Sequence, residues 1–552
     1  MRNPDRGGRT LQVPGRVDNW SGRVAVSALG AVVLLLGLPV LAQPAEGTAP
    51  PPLYAYALGT AKSPASCPAT SVSAKQCTLA EALALAHAGG SVLLATSGKT
   101  DPYYGNFTVK ASGTTAKLPV SIDPASGVAA PTINGDSSNK VLCPTASCEG
   151  SVLTVGAGVY ADLRSVTITG GDDDEVHGGG GVDDLGSLTM TGDTISGCTG
   201  QVGGGVAVGK GANLVVKSSH FANDSATYFG GAIDSGSVIG HTTGAGTVTV
   251  TKSTFTGDKA PRGGAIDNGD GGTGVLTVTD SDFASDTSSN HGGAVDTGDA
   301  GSGTATVKSS TFSGDSSTNG GALDNGDAAG KGTLTVTGST FSDDSATDGG
   351  AIDNGDGGTG TVTIRDSTFT GDKGETAGSV VDSGDAAGTA SAAILDSTLD
   401  ANLGEPDIDS ESGAFYVAGS ILAGTEANCL GSVTDDGYNL ISNASSGCGF
   451  GANSSDLVGA NPELGPLAAN GGPTKTMEPS ATSPVLEQIP NPAVASVSAS
   501  KTTSFCPLAD QAGSIKNEAY GCAIGSVDPA NTVPVVTSLG STMGPAAGGT
   551  AI

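Results

Sequence analysis

The stretch GGAIDNGDGGTGVLTVTDSDF (263–283) decides the fold, because it returns as GGAVDTGDAGSGTATVKSSTF (292–312), GGALDNGDAAGKGTLTVTGSTF (320–341) and GGAIDNGDGGTGTVTIRDSTF (349–369). GGAID also begins at Gly230, and degenerate copies start at Gly179, Gly203 and Gly378. Successive copies are 24, 27, 33, 29, 28, 29 and 29 residues apart. That period is too short for a propeller blade of four strands, and the helical signatures of ankyrin or tetratricopeptide repeats are absent.

Each unit carries two apolar stretches. One is the short GGAI strand. The other is an alternating run: TVTVTKSTF (247–255), VLTVTDSDF (275–283), TATVKSSTF (304–312), TLTVTGSTF (333–341) and TVTIRDSTF (361–369). Strict alternation of β-branched with polar residues predicts a strand with one buried face. Units this short stack as parallel coils about 4.8 Å apart, with equivalent side chains one above another. Phe255, Phe283, Phe312, Phe341 and Phe369 should then form an interior aromatic ladder, and Ile266, Val295, Leu323 and Ile352 an aliphatic one. The expectation is an all-β parallel solenoid with strands from about residue 90, closed at its N-terminal end by a helix over 78–89. There Thr78 and Glu81 form a capping box and Gly89 is the expected C-cap.

Composition agrees. Gly 89 and Pro 27 in 552 residues leave little room for long helices. Lys+Arg 24 against Asp+Glu 55 gives a net charge of −31, which excludes a nucleic-acid partner that needs a basic face.

Residues 24–41, VAVSALGAVVLLLGLPVL, carry no charge and follow five arginines. They read as a signal peptide cleaved after Ala42, within a targeting segment 1–42; eighteen residues would alternatively just span a membrane as an uncleaved anchor. No later stretch is apolar enough to span, so the mature chain is expected to be secreted or displayed at the cell surface. Nine cysteines suit an oxidising compartment. Local spacing suggests Cys67 with Cys77, Cys143 with Cys148, Cys429 with Cys448, and Cys506 with Cys522, leaving Cys198 over; free buried thiols are the alternative.

The repeats also align acids. Asp267 and Asp270, Asp296 and Asp299, Asp324 and Asp327, Asp353 and Asp356, and Asp382 and Asp385 each bracket a D-x-G-D turn. If Ile266 points inward, Asp267 points outward. Stacked carboxylates then repel, at roughly 1 kcal/mol per neighbouring pair in water and more near a low-dielectric surface. Calcium, which takes 6–8 oxygen ligands, would relieve this. Otherwise the carboxylates splay into solvent, with Asn268, Thr297, Asn325 and Asn354 making the ladder contacts. No other cofactor is indicated.

The GGAI element, together with FTGD, FASD, FSGD and FSDD, resembles the GGAI and FxxN repeats of bacterial surface proteins such as the polymorphic outer-membrane proteins, with Asp in place of the usual Asn. The resemblance covers roughly 53–425 and implies a pectate-lyase-like right-handed parallel β-helix. Residues 426–530 contain NCLG (428–431), DDGYNLIS (435–442), NPELGPLAANGGPTKT (461–476) and CPLADQAG (506–513), and resemble the choice-of-anchor Q domain; Ala512 stands where that domain usually has Arg. Residues 531–552 resemble the first strands of an IPT/TIG domain.

Such resemblance implies a structural, adhesive or ligand-presenting surface protein. The alternative is a polysaccharide lyase or glycoside hydrolase, with an extracellular polysaccharide as partner. The local catalytic candidates are Asp172, Asp173, Asp174, Glu175 and His177, compressed into one loop without the Arg-x-Lys of polygalacturonases; an acidic surface turn is the plainer reading. Arg262, Lys308, Lys331 and Arg365 read as scattered solvated residues, and His87, His220, His241 and His291 show no metal spacing. A cross-coil cluster of carboxylates with a base would separate enzyme from scaffold.

Overall fold

The computed structural model describes residues 51–57, 77–96, 102–110, 117–135, 150–173, 178–236 and 244–529, less 328, 385–387, 425–426, 444–446, 452, 499–500, 506–508 and 515–520. The targeting segment and residues 531–552 lie outside the described residues.

The alternating runs form strands that pair in parallel with their counterparts one repeat away. Thr273–Thr279 pairs with Ala245–Thr251 on one side and Ser302–Lys308 on the other, each in unbroken register. The GGAI strand Ile266–Asn268 pairs with Ile233–Ser235 and Val295–Thr297. Asp282–Ala284 makes a third column and Lys259–Arg262 a fourth. One repeat is therefore one coil of a parallel β-solenoid.

The interior follows the predicted columns. Phe255, Phe283, Phe312, Phe341 and Phe369 are fully buried and stack nearly parallel, with centroids 4.6–4.8 Å apart. Phe221 extends the stack by one coil, 4.9 Å from Phe255. Leu399 then Leu422 take over the position after Phe369. The aliphatic ladder runs Ile233, Ile266, Val295, Leu323, Ile352, Val381 and Ile408.

Glycine is required where coils corner. Gly263 adopts φ +55°, and a Cβ on the next residue, Gly264, would lie 2.0 Å from the carbonyl oxygen of Gly293. The corner repeats in each coil, so the GG pair is a packing requirement of the stack.

Two boundaries differ from expectation. The first strand of the stack is Leu53–Tyr56, which pairs with Ser91–Leu94, so the sheet begins well before residue 90. Helix Leu79–Leu85 has the Thr78–Glu81 capping box but is capped at Ala86 rather than Gly89. At the other end the columns run on past residue 425: Cys429–Asp435 and Leu440–Ile441 stack on the preceding coils, and Leu457–Val458 on those.

The described residues of 461–528 then contribute contacts to the outside of the solenoid. Gln511 is buried there: its Nε2 donates to Ser339 O and Thr340 Oγ1, each at 2.9 Å, and its Oε1 accepts from Thr368 Oγ1 at 2.6 Å. Arg365 is not a solvated residue; it donates to Ser504 O at 2.6 Å and Asp396 Oδ2 at 2.8 Å.

Cys429 and Cys448 form a disulfide, and Cys198 is a buried free thiol. Cys77 and Cys522 are also disulfide-bonded. Cys67, Cys143, Cys148 and Cys506 lie outside the described residues. No helix among the described residues is long and apolar enough to cross a membrane.

Candidate metal centre

Alternation puts Ile266 in the core and Asp267 on the other side of the same strand. The expectation that Asp267 then meets solvent is wrong. Asp267, Asp296, Asp324 and Asp353 are 0–1% exposed, and Asp382 is 6% exposed. They form one column in direct register, continued by Asp409. Two other columns flank and cover it.

The first is the loop column, Asp270, Asp299, Asp327 and Asp356. Here one carboxylate oxygen serves the backbone: Asp327 N–H donates to Asp299 Oδ1 at 2.9 Å, and Asp356 N–H to Asp327 Oδ1 at 2.7 Å. The second oxygen faces the acids and bases of the groove. Asp385 lies outside the described residues.

The second flank is the residue just before each glycine pair. Phe229, Arg262 and His291 stack in register, followed by Asn319 and Asp348. Arg262 lies over the Phe229 ring, 5.8 Å from its centroid, and donates to Asp270 Oδ2 at 2.5 Å. Its Nε is 3.9 Å from Asp299 Oδ2. His291 Nδ1 lies 2.9 Å from Asp324 Oδ2, 3.2 Å from Asp327 Oδ2 and 3.7 Å from Asp299 Oδ2. Asn319 Nδ2 donates to Asp327 Oδ2 and Asp356 Oδ2, both at 3.2 Å.

These contacts correct two readings. Arg262 is no scattered surface charge, and His291 has carboxylate company that its sequence spacing conceals. The signal was present: both occupy the repeat position immediately before GG, where the residue type varies freely and so escapes a search for repeated letters.

The electrostatics follow from burial. Desolvation, then the neighbouring acids, push Asp267, Asp296, Asp324 and Asp353 well above the usual carboxylate range. Burial also raises Asp299 to about 7, with the charge of His291 acting against it. Burial alone would lower His291; the hydrogen bond to Asp327 and the charge of Asp299 outweigh it, bringing the imidazole up to about 9. Asp267, Asp296 and Asp353 have both carboxylate oxygens buried with no hydrogen-bond donor on either.

Three groups offer ligand atoms within 4.8 Å of one another: His291 with Asp324 and Asp327; Asp296 with Asp299 and Asp324; and Asp327 with Asp353 and Asp356. The four Asn and Thr residues proposed to relieve the ladder lie beside the acids: Asn325 Nδ2 donates to Asn354 Oδ1 at 2.8 Å, and Asn354 Nδ2 to Ser383 Oγ at 3.0 Å. Neither bond reaches a carboxylate, and Asn268 Oδ1, Thr297 Oγ1 and Asn325 Oδ1 are themselves buried with no hydrogen-bond partner.

The catalytic candidates fare differently. Asp172 and Asp173 form a short strand, and Asp173 is 7% exposed, 3.3 Å from Ser151 Oγ. Its charge, after burial, raises Asp183 to about 7. Asp174, Glu175 and His177 lie outside the described residues.

No family model matches the chain, and no curated protein matches it. Solved structures similar to it include an alginate lyase from Paenibacillus sp. str. FPU-7, at 19% identity over 54% of this chain and 92% of that one, TM-score 0.32. Pectate lyase Pel9A matches at 11% identity over 86% and 96%, TM-score 0.34. The complex of XylC with xylose matches at 9% identity over 83% and 96%, TM-score 0.38.

Proposed function

We propose that this chain is an exported β-solenoid scaffold whose acidic groove holds divalent cations, calcium by donor chemistry, and that the ions brace the stacked coils into a rigid presenting surface. The observation that carries this is the pairing of two facts at Asp267, Asp296 and Asp353: full burial, and no donor to any carboxylate oxygen. A buried carboxylate must be protonated, paired or bound to metal. The carboxylates of the short Asp-x-Gly-Asp turns offer oxygen donors, which suit calcium over zinc or copper. The metal residues would come from Asp267, Asp270, Asp296, Asp299, Asp324, Asp327, Asp353 and Asp356. Thermal unfolding of the mature protein in millimolar calcium, magnesium or chelator, at matched ionic strength, tests this. A higher Tm in calcium alone is expected; an identical Tm in all three refutes it.

Export itself rests on the 1–42 leader and on the Cys429–Cys448 disulfide. N-terminal sequencing of secreted material should begin at Gln43, and its mass should show Cys67–Cys77, Cys143–Cys148 and Cys506–Cys522 oxidised as well.

A second reading, a polysaccharide lyase or hydrolase, is favoured by one observation: Arg262 and His291 share the groove with carboxylates from several coils. Against it, the acids are covered, and both bases are held in ion pairs. Assays for unsaturated and reducing-end products on acidic polysaccharides decide it: product release would replace the scaffold reading.

A further inference from the structure

The cation reading leaves open where along the groove an ion sits, and the flanking column answers that. The acids are the same in each coil: Asp267 with Asp270, Asp296 with Asp299, Asp324 with Asp327, Asp353 with Asp356. The residue covering them is not. In chain order it is Arg262, His291, Asn319 and Asp348. The protein thus supplies its own positive group at the first coil and a base hydrogen-bonded to carboxylates at the second. At the third it supplies only a neutral amide, and at the fourth a further acid.

We infer that the groove holds a single divalent cation, bound by Asp327, Asp353 and Asp356 beneath Asn319, and that the Arg262 guanidinium and the contact of His291 Nδ1 with Asp324 occupy the preceding coils. This rests on the cation reading above and specifies it.

What is distinct at that place is the covering residue, Asn319, which is neutral. Asp327, Asp353 and Asp356 bring carboxylate oxygens within 4.8 Å of one another. Asp353 is 0% exposed, and neither of its oxygens meets a donor. The group that does approach, the Asn319 amide, lies 3.2 Å from both Asp327 and Asp356. An amide can be turned over without changing its shape, so the same side chain can present Oδ1 to a cation as a fourth oxygen. Arg262 does not have that option, because every polar atom of a guanidinium is a donor, and His291 Nδ1 is already engaged with Asp324. Upstream, Arg262 already makes a charge-assisted bond to Asp270, and His291 reaches Asp299, Asp324 and Asp327. A metal there would have to displace the Arg262 guanidinium from Asp270 or His291 from Asp324; downstream, neither oxygen of Asp353 holds a donor, and Asp327 alone of the three ligands is shared with His291.

Charge transplants test the assignment. Calorimetric titration of the mature full chain with calcium chloride should give one ion per chain. Asn319→Lys, which adds the missing counter-ion, should abolish binding, and Asp356→Asn should weaken it at least tenfold. Arg262→Gln, which removes a resident counter-ion, should raise the stoichiometry to two. Circular dichroism of each variant checks folding, and Asp356→Asn, a near-isosteric change, keeps the test alive if Asn319→Lys misfolds. Two or more ions on the unmodified chain, or unaltered affinity in Asn319→Lys and Asp356→Asn, would overturn the single site while leaving a cation-binding groove. No calcium bound by the unmodified chain would overturn both readings.

Discussion

The backbone N–H of Asp286 donates to Oδ1 of Asp315, one coil further on, at 2.8 Å. The same bond recurs from Cys198 to Asp224, then through Asp258, Asp286, Asp315 and Asp344 to Asp372. This second acidic ladder comes from the FxxD element, and it is separate from the groove. Each of these carboxylates keeps Oδ2 buried without a hydrogen-bond partner.

Stability should therefore fall with rising pH. Burial raises Asp224 and Asp286 to about 7, and Asp315 and Asp344 well above the usual 3.8. The unfolded chain releases these protons near pH 4 while the folded chain keeps them. The proton-linked stability is complete below pH 4 and is lost as pH climbs through 7, at up to about 1.4 kcal/mol per pH unit for each retained proton. Denaturant unfolding at pH 5 and pH 8 should show the lower midpoint at pH 8. An equal or higher midpoint at pH 8 would contradict the buried neutral ladder.

Asp315→Asn should remove one such liability. Asn keeps the Oδ1 acceptor and replaces a titrating oxygen with an amide. The chain does this itself at the end of the column, where Asn402 Oδ1 accepts from Asp372 N–H and its Nδ2 donates to Asp407 Oδ1, both at 3.1 Å. We expect the variant to match the parent near pH 4 and to exceed it by about 1–3 kcal/mol at pH 8. The same unfolding series measures it.

Phe312→Ala should cost about 3–5 kcal/mol, because a stacked ring with no exposure leaves a cavity between Phe283 and Phe341. Equilibrium unfolding gives the value. A cost under about 1 kcal/mol would mean the column is not packed as described.

Gly293→Ala should prevent normal stacking. Its Cβ would lie 2.0 Å from the Gly321 carbonyl oxygen and 2.6 Å from the Ser316 nitrogen, both backbone atoms. Gly211→Ala provides the contrast: φ is +73° but nothing lies within 4 Å, so only backbone strain of about 1–2 kcal/mol applies. A thermal melt of both variants should rank Gly293→Ala as far the worse.

Gln511→Ala should loosen residues 461–528 from the solenoid. It removes the buried hydrogen bonds that Gln511 makes to Ser339 O, Thr340 Oγ1 and Thr368 Oγ1, at about 1–3 kcal/mol. Limited trypsin digestion should cut faster at Lys475 and Lys501 while the solenoid core persists. Unchanged cleavage would show that other contacts hold the segment.

The aromatic ladder, the parallel stacking and the capping box were all legible in the chain because each rests on a local regularity. Repetition of Phe at one position forces one stacked column, and alternation decides which face is apolar. The positions of the metal-type acids were legible for the same reason. Their environment was not. Alternation says only that Asp267 and Ile266 point to opposite sides of a strand; whether the far side meets water depends on what covers it. Only the tertiary structure decided that the cover is Arg262, His291, Asn319 and Asp348, whose identity changes from coil to coil and so carries no periodic signal. Gln511 was invisible for a related reason: its partners at Ser339, Thr340 and Thr368 are more than 140 residues away. Sequence by itself determined which residues repeat and which face the core, because those are short-range steric facts. Burial of charge and long-range docking depend on how separate coils and segments close over one another, and that only the folded chain decides.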